Sequence, residues 1–163
     1  MLSMDDYVQI MVESLRRKSD LLERIIGKNV EQNKCISGKE YEDIDWDAFN
    51  LLVTEKEILI ERINTMDEGF QSLYDRVKAQ LNESKDKYSD SIKEMQFLIG
   101  KVTDQGVEIQ AGEERNKQII DSLMFSRKKT IRQTRNSLKV ADSYNQSMHM
   151  SYGSDNFMLN RKK

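Results

Sequence analysis

The stretch of sequence that decides the fold lies between residues 49 and 77 and reads FNLLVTEKEILIERINTMDEGFQSLYDRV. A repeat with alternating spacings of three and four runs through it without a break, and Lys56 is its one polar member. The repeat comprises Phe49, Leu52, Lys56, Leu59, Ile63, Met66, Phe70, Leu73 and Val77. A pattern sustained this long is typical of a coiled-coil seam. It predicts a long helix at about 46–81, with Asp45 as its N-cap.

Weaker repeats of the same kind lie on either side of this stretch. Ser3, Asp5 and Asp6 are typical of a helix start, and the apolar pattern after them predicts a first helix at about 4–33. Residues 35–45 lack periodicity and are predicted to be a loop. Polar residues near 81–86 favour a chain reversal over the alternative that the second helix runs straight into the third. A third helix is then predicted at about 88–141, and its continuity through Gly106 and Gly112 is left open.

The composition points to the same fold class. The 163 residues include no proline, and 33% of them are charged, which favours long uninterrupted helices with a narrow apolar seam. We therefore expect an all-α fold, an antiparallel bundle or coiled coil of three long helices with a flexible C-terminal tail. The predicted helical domain covers 1–141. Residues 142–163 show no period and are expected to be disordered or weakly ordered.

Charge and cysteine content restrict the partners and the compartment. The formal net charge is −2, so no global field attracts the chain to nucleic acid or lipid. Cys35 is the single cysteine, which excludes an internal disulfide and is compatible with a reducing compartment. No apolar run approaches the roughly 20 residues of a membrane span. We expect a cytoplasmic protein without a membrane span and without nucleic acid as a partner.

Catalytic signals are nearly absent from the sequence. His149 is the one histidine, and neither a phosphate-binding glycine loop nor a zinc-type spacing of ligands is present. A thiol such as Cys35 without a nearby base is far more often incidental than nucleophilic. We expect no enzyme activity, no catalytic or metal-binding residues and no cofactor.

Two features suggest binding instead. Six cations and no acid lie from Arg127 to Lys139. Such a run stabilises a helix C-terminus, attracts an acidic protein or contacts nucleic acid, and the net acidic charge of the chain argues against the last of these. Methionine and aromatic residues are scattered through the predicted tail, and flexible thioethers suit adaptable binding surfaces. These candidate partner-binding residues of the tail are Tyr144, Met148, Phe157 and Met158.

The chain resembles flagellar export chaperones of the FlgN type, of the clostridial variety. The run from Leu51 to Lys78 carries the resemblance, above all Asp67-Glu-Gly-Phe and Leu73-Tyr-Asp-Arg-Val. It extends to shorter matches and so covers most of the chain. These are Val107-Glu-Ile-Gln, Glu113-Glu-Arg-Asn-Lys, Val140-Ala-Asp-Ser-Tyr-Asn, Phe157-Met158 and Asn160-Arg-Lys-Lys. The related FliT-type chaperones of the filament cap are similar in size and pattern and stay an alternative.

The resemblance implies a small, helical, cytoplasmic chaperone without enzymatic activity. Such proteins bind the C-terminal helices of hook-associated or cap subunits, keep them unpolymerised and deliver them to the type III export apparatus. The family's binding surface lies toward the C-terminal part, which adds Ile109, Ile120, Leu123 and Met124 to the candidate partner-binding residues. The main alternative is a structural coiled-coil scaffold or a homodimer whose seam is completed by a second copy.

Overall fold

The fold is described by a computed structural model for residues 2–151, with side chains described as far as residue 140. Three long helices dominate it: α1 at Met4–Ile36, α2 at Trp46–Glu83 and α3 at Ser89–Ser151. A single turn of 3-10 helix, Tyr41–Asp43, lies in the connection before α2. The described residues contain no strand. The predicted all-α bundle of three long helices is therefore confirmed.

The direction of each helix follows from its cross-helix contacts. Between α1 and α2, early residues of one helix meet late residues of the other: Lys18 with Asp67 and Lys28 with Glu55. Between α1 and α3, the paired positions rise together: Arg16 with Glu94, Ser19 with Gln105 and Asn33 with Asn116. The first helix is thus antiparallel to α2 and parallel to α3, an up–down–up arrangement.

Both predicted N-caps are confirmed by hydrogen bonds at the helix starts. The hydroxyl of Ser3 accepts from the amide of Asp6 at 3.2 Å, and the Asp6 carboxylate accepts from the amide of Ser3 at 2.9 Å. At α2, the Asp45 carboxylate accepts from the amide of Ala48 at 3.0 Å. These bonds satisfy backbone donors that have no partner inside the helix.

The helices extend further than the periodicity predicted. The first helix continues to Ile36 because Gln32 and Ile36 are buried at 2% and 0% exposure, and Cys35 therefore lies in its last turn rather than in a loop. The third is continuous through Gly106 and Gly112 and runs past the predicted boundary at 141. The prediction of a tail stays a prediction for residues 152–163, which lie outside the described residues.

The chain divides into two compact units, Met1–Ile119 and Ile120–Lys163, a boundary that falls inside the predicted domain. In the first unit the core consists of two apolar clusters. One cluster surrounds the reversal between α2 and α3 and includes Val8, Met11, Val12, Leu15, Val77, Leu81, Tyr88, Met95 and Leu98. The other lies further along α1 and includes Leu21, Leu22, Ile25, Leu59 and Ile63. Their members are mainly the seam positions that the repeats predict.

Two of the glycines of α3, Gly106 and Gly112, have different surroundings, which makes them a matched pair for mutation. A Cβ added at Gly106 would meet nothing within 4 Å, whereas one at Gly112 would lie 3.2 Å from the Asn29 side-chain nitrogen. Alanine is favoured over glycine inside a helix by about 1 kcal/mol. We expect Gly106→Ala to raise the free energy of unfolding by about 0.5–1 kcal/mol.

For Gly112→Ala the close contact with Asn29 should cancel most or all of that gain. Urea denaturation of both variants, followed by far-ultraviolet circular dichroism, measures the difference. An equal gain at both positions would show that the approach of α1 to α3 at Gly112 is not tight.

Candidate partner-binding surfaces

The first unit contains a polar layer inside its seam, formed by Asn29, Asn33, Lys56, Glu113 and Asn116. The ammonium group of Lys56 donates to the Asn29 amide oxygen at 2.8 Å and to the Glu113 carboxylate at 2.6 Å. Asn116 donates to the backbone carbonyl of Asn29 at 3.0 Å, and Asn33 donates to the amide oxygen of Asn116 at 3.1 Å. The polar layer therefore joins all three helices.

Because the side chains of the polar layer are buried, their hydrogen bonds depend on one particular alignment of the three helices. Asn29, Lys56 and Asn116 are 5%, 6% and 4% exposed, so each depends on protein partners for its hydrogen bonds. A shift of one helix along another would leave these groups unpaired in the interior, at a cost of about 1–3 kcal/mol for each group. Glu113, whose side chain is 48% exposed, keeps contact with water. We infer that the polar layer sets the register of α3 against α1 and α2.

The sequence contained a signal for this layer that our prediction did not use. Each of the three helices carries a polar residue at a seam position: Asn29, Lys56 and Asn116. In the third helix, Glu113 and Asn116 at seam positions weaken the apolar repeat. Their contacts with Lys56 of α2 and Asn29 of α1, respectively, are a tertiary property that the repeat of one helix does not predict.

A second polar contact lies between the apolar clusters. The hydroxyl of Ser19 donates to the Gln105 amide oxygen at 3.0 Å, and the Gln105 amide nitrogen donates to the Ser19 carbonyl and the Glu23 carboxylate, each at 3.1 Å. Ser19 and Gln105 are 3% and 6% exposed. This closed pair has no free donor aimed at an opening, and we assign it to helix packing.

The predicted partner-binding residues fall into three groups. Ile109 packs, partly buried, against the apolar cluster of α1 and α2 around Ile25. In the second unit, Ile120 and Leu123 are partly buried and Met124 is 37% exposed. Tyr144 and Met148 lie on α3, but their side chains, like residues Phe157 and Met158 as a whole, fall outside the described part of the chain.

The second unit presents an apolar row that we call the α3 stripe, formed by Met124, Ile131 and Leu138. These side chains are 37%, 43% and 63% exposed. They recur every seven residues and therefore lie along one face of the helix. Met124 was among the predicted residues, whereas Ile131 and Leu138 were overlooked because they lie within the basic run. Their seven-residue spacing was the available signal.

Cations line one side of the α3 stripe. Lys128 and Arg135 follow Met124 and Ile131 by four residues, which places them on the neighbouring row of the helix. Arg132 and Lys139 lie on the same side, and all four residues are exposed. The stripe and its basic edge together form a surface suited to an apolar helix that carries acids along one side.

Other site chemistry is not apparent in the described residues. Among them, no group of three or more histidine, cysteine or acidic side chains is arranged to hold a metal ion. Cys35 is partly buried and His149 lies on α3 with its side chain outside the described part. Within the described chain, none of the helices is long and apolar enough to cross a membrane.

These features define the class of the protein: an all-α helical bundle with a polar layer in its first unit and an exposed amphipathic helix surface in its second. Comparison with protein-family models, with curated proteins and with solved structures found no match to this chain.

Proposed function

We propose that this chain is a cytoplasmic chaperone of bacterial flagellar type III export, without enzymatic activity. It binds the C-terminal helices of hook-associated or filament-cap subunits, keeps these subunits unpolymerised and delivers them to the export apparatus. The observation that most supports the proposal is the α3 stripe, an exposed apolar row with a coiled-coil period on a helix.

The chemistry of such a client suits the stripe. A subunit that has not assembled exposes an apolar helix seam, which would otherwise associate with other copies. A helix with the same seven-residue period covers this seam by pairing knobs with holes. Met124, Ile131 and Leu138 offer that period over two heptads. A contact over two heptads buries less surface than an obligate interface does, and this permits release of the client at the export apparatus.

The basic edge selects among clients. Lys128, Arg132, Arg135 and Lys139 favour a client helix with acidic residues beside its apolar seam, since complementary charges guide encounter and orientation. The same cations weaken pairing with a second copy in parallel register, because like charges would then face one another. This disfavours the alternative of a homodimeric scaffold assembled through the α3 stripe.

The proposal is tested by co-expression with the flagellar subunits of the same genome. The full-length chain is produced with each hook-associated protein and with the filament-cap protein, and complexes are analysed by size-exclusion chromatography with light scattering. We expect one discrete complex. The double variant Ile131→Ser/Leu138→Ser should lower the client affinity at least about tenfold, since each buried aliphatic side chain contributes more than 1 kcal/mol.

A matched control is offered by Phe125 and Val140, which are 70% and 69% exposed but lie off the stripe. Phe125→Ser/Val140→Ser should leave the affinity nearly unchanged. Absence of a complex with every subunit, together with a stable homodimer of the chain alone, would replace the chaperone proposal with the scaffold alternative.

A further inference from the structure

A continuous groove runs along the first unit between α1 and α2. Three adjoining depressions form it, and neighbouring depressions share Ile58 or share Arg17 and Met66. Every residue that lines them belongs to α1 or α2. We call this surface the outer groove. Its lining residues include Arg17, Leu21, Arg24, Ile58, Arg62 and Met66.

The floor of the outer groove is apolar, and apolar side chains also lie on both of its walls. Leu21 is buried at the base, Met66 and Leu73 are partly buried, and Ile58 and Ile10 are 48% and 39% exposed. These side chains repeat at helical spacing on both helices, so the groove has the shape and lining that a third helix laid between two others requires.

The charges of the outer groove are unequally satisfied. Of its acids, Glu55 and Glu31 are paired with Lys28 at 3.3 and 3.9 Å, and Glu13 accepts a hydrogen bond from Gln9 at 3.0 Å. Three exposed guanidinium groups have no ion pair or hydrogen bond to any described residue, whereas two acids of the groove, Glu13 and Glu61, lack a cationic partner among these residues. These guanidinium groups belong to Arg17, Arg24 and Arg62.

The sequence neighbours of Arg17 show that the lack of an ion pair is not a general property of the cations on α1. Arg16 is paired with Glu94 of α3, and Lys18 is paired with Asp67 of α2 at 2.8 Å. Cations beside α2 or α3 thus have acidic partners, and so does Lys28 at one end of the outer groove, whereas Arg17 and Arg24 lack them. The unmatched charge lies where an additional helix would place its flanking residues.

We propose that the outer groove binds an acidic amphipathic helix of a partner protein, independently of the α3 stripe. Arg17 and Arg24 are seven residues apart on one wall, a rise of about 10.5 Å along the helix. A partner helix lying along the groove therefore meets them with carboxylates seven residues apart, while Arg62 on the opposite wall takes an acid from its other edge. The apolar row of that helix covers Ile58, Met66 and Leu73.

The test uses a fluorescein-labelled helical peptide of about 21 residues, three heptads with an apolar row and glutamate on both edges. A second peptide carries lysine in place of glutamate. Binding is measured by fluorescence anisotropy on the full-length chain carrying Ile131→Ser/Leu138→Ser. In this background the α3 stripe is inactive, so the outcome is separate from that of the proposed function.

The acidic peptide is expected to bind, and Arg17→Gln/Arg24→Gln/Arg62→Gln should weaken it about tenfold. The control Lys85→Gln/Lys93→Gln/Lys101→Gln removes the same charge from exposed positions that do not line the groove, and it should change the affinity by less than about twofold. Methyl spectra of methionine-labelled protein should show a shift of the Met66 signal, assigned with Met66→Leu, and an unmoved signal of buried Met11.

Equal weakening by the arginine and lysine triples, or equal affinity for both peptides, would overturn the proposal. A dimer of the chain alone that is lost in the arginine triple would overturn it as well, because the occupant would then be a second copy.

Discussion

Replacing Ile25 by alanine is expected to lower the free energy of unfolding by about 3 kcal/mol. Ile25 is 2% exposed and lies in the apolar cluster with Leu59 and Ile63, where all three helices meet. The loss combines the transfer of the removed methyl and methylene groups with the cavity that they leave. Because long helices cannot collapse locally without moving along one another, the cavity should stay largely open.

Ile60 is a suitable control for this substitution. It is the same residue type on a long helix, but it is 46% exposed. Ile60→Ala should change the free energy of unfolding by less than about 1 kcal/mol, since the lost contacts are offset by the better helix propensity of alanine. Urea denaturation of both variants, with the slope compared as well as the midpoint, tests this difference. Similar losses at both positions would contradict the described packing of the cluster.

Replacing Lys56 by alanine is expected to cost about 2 kcal/mol. The substitution removes the ammonium donor from Asn29, which is 5% exposed, and empties the space of a four-carbon stem. The ion pair with Glu113 contributes less, because the Glu113 side chain is 48% exposed and returns to water. Lys56→Met fills the space and should recover about half of the loss.

Lys18, a second polar residue at a seam position of α1, provides the comparison. Lys18 pairs with Asp67 at 2.8 Å, but their side chains are 24% and 47% exposed, so Lys18→Ala should cost less than about 1 kcal/mol. The double replacement Asn29→Leu/Lys56→Leu removes the donor and its amide acceptor together and should cost less than Lys56→Ala. A double variant less stable than Lys56→Ala would contradict the view that unsatisfied burial, rather than the ion pair itself, dominates the loss.

The helices and most of the core followed from local pattern. The repeat from Phe49 to Val77 and the caps at Ser3 and Asp45 are properties of neighbouring residues, and the structure confirms them. The ends of the helices were less predictable, because burial of residues beyond the apolar repeat extends the helices. Ile36, for example, keeps α1 helical through a stretch that reads as a loop.

The candidate surfaces were only partly predictable. Met124 was recognised as a partner-binding candidate, but the α3 stripe required Ile131 and Leu138, whose exposure is a tertiary property. The outer groove was not predicted either, because its two walls come from residues about forty to sixty positions apart in the sequence. Which arginine lacks a partner depends on the helix opposite to it, as the contrast between Arg16 and Arg17 shows.

By itself, the sequence determined that this protein is built of three long helices, where they begin and which face of each is apolar. Those properties depend on residues three, four and seven positions apart, which the helix brings together without help from the rest of the chain. Only the tertiary structure decided that Asn29, Lys56 and Asn116 meet as one polar layer, that α1 lies parallel to α3, and that a groove with unpaired arginines stays open. These three features arise from packing between segments that are distant in the sequence, because the burial of a side chain on one helix depends on the side chains of another.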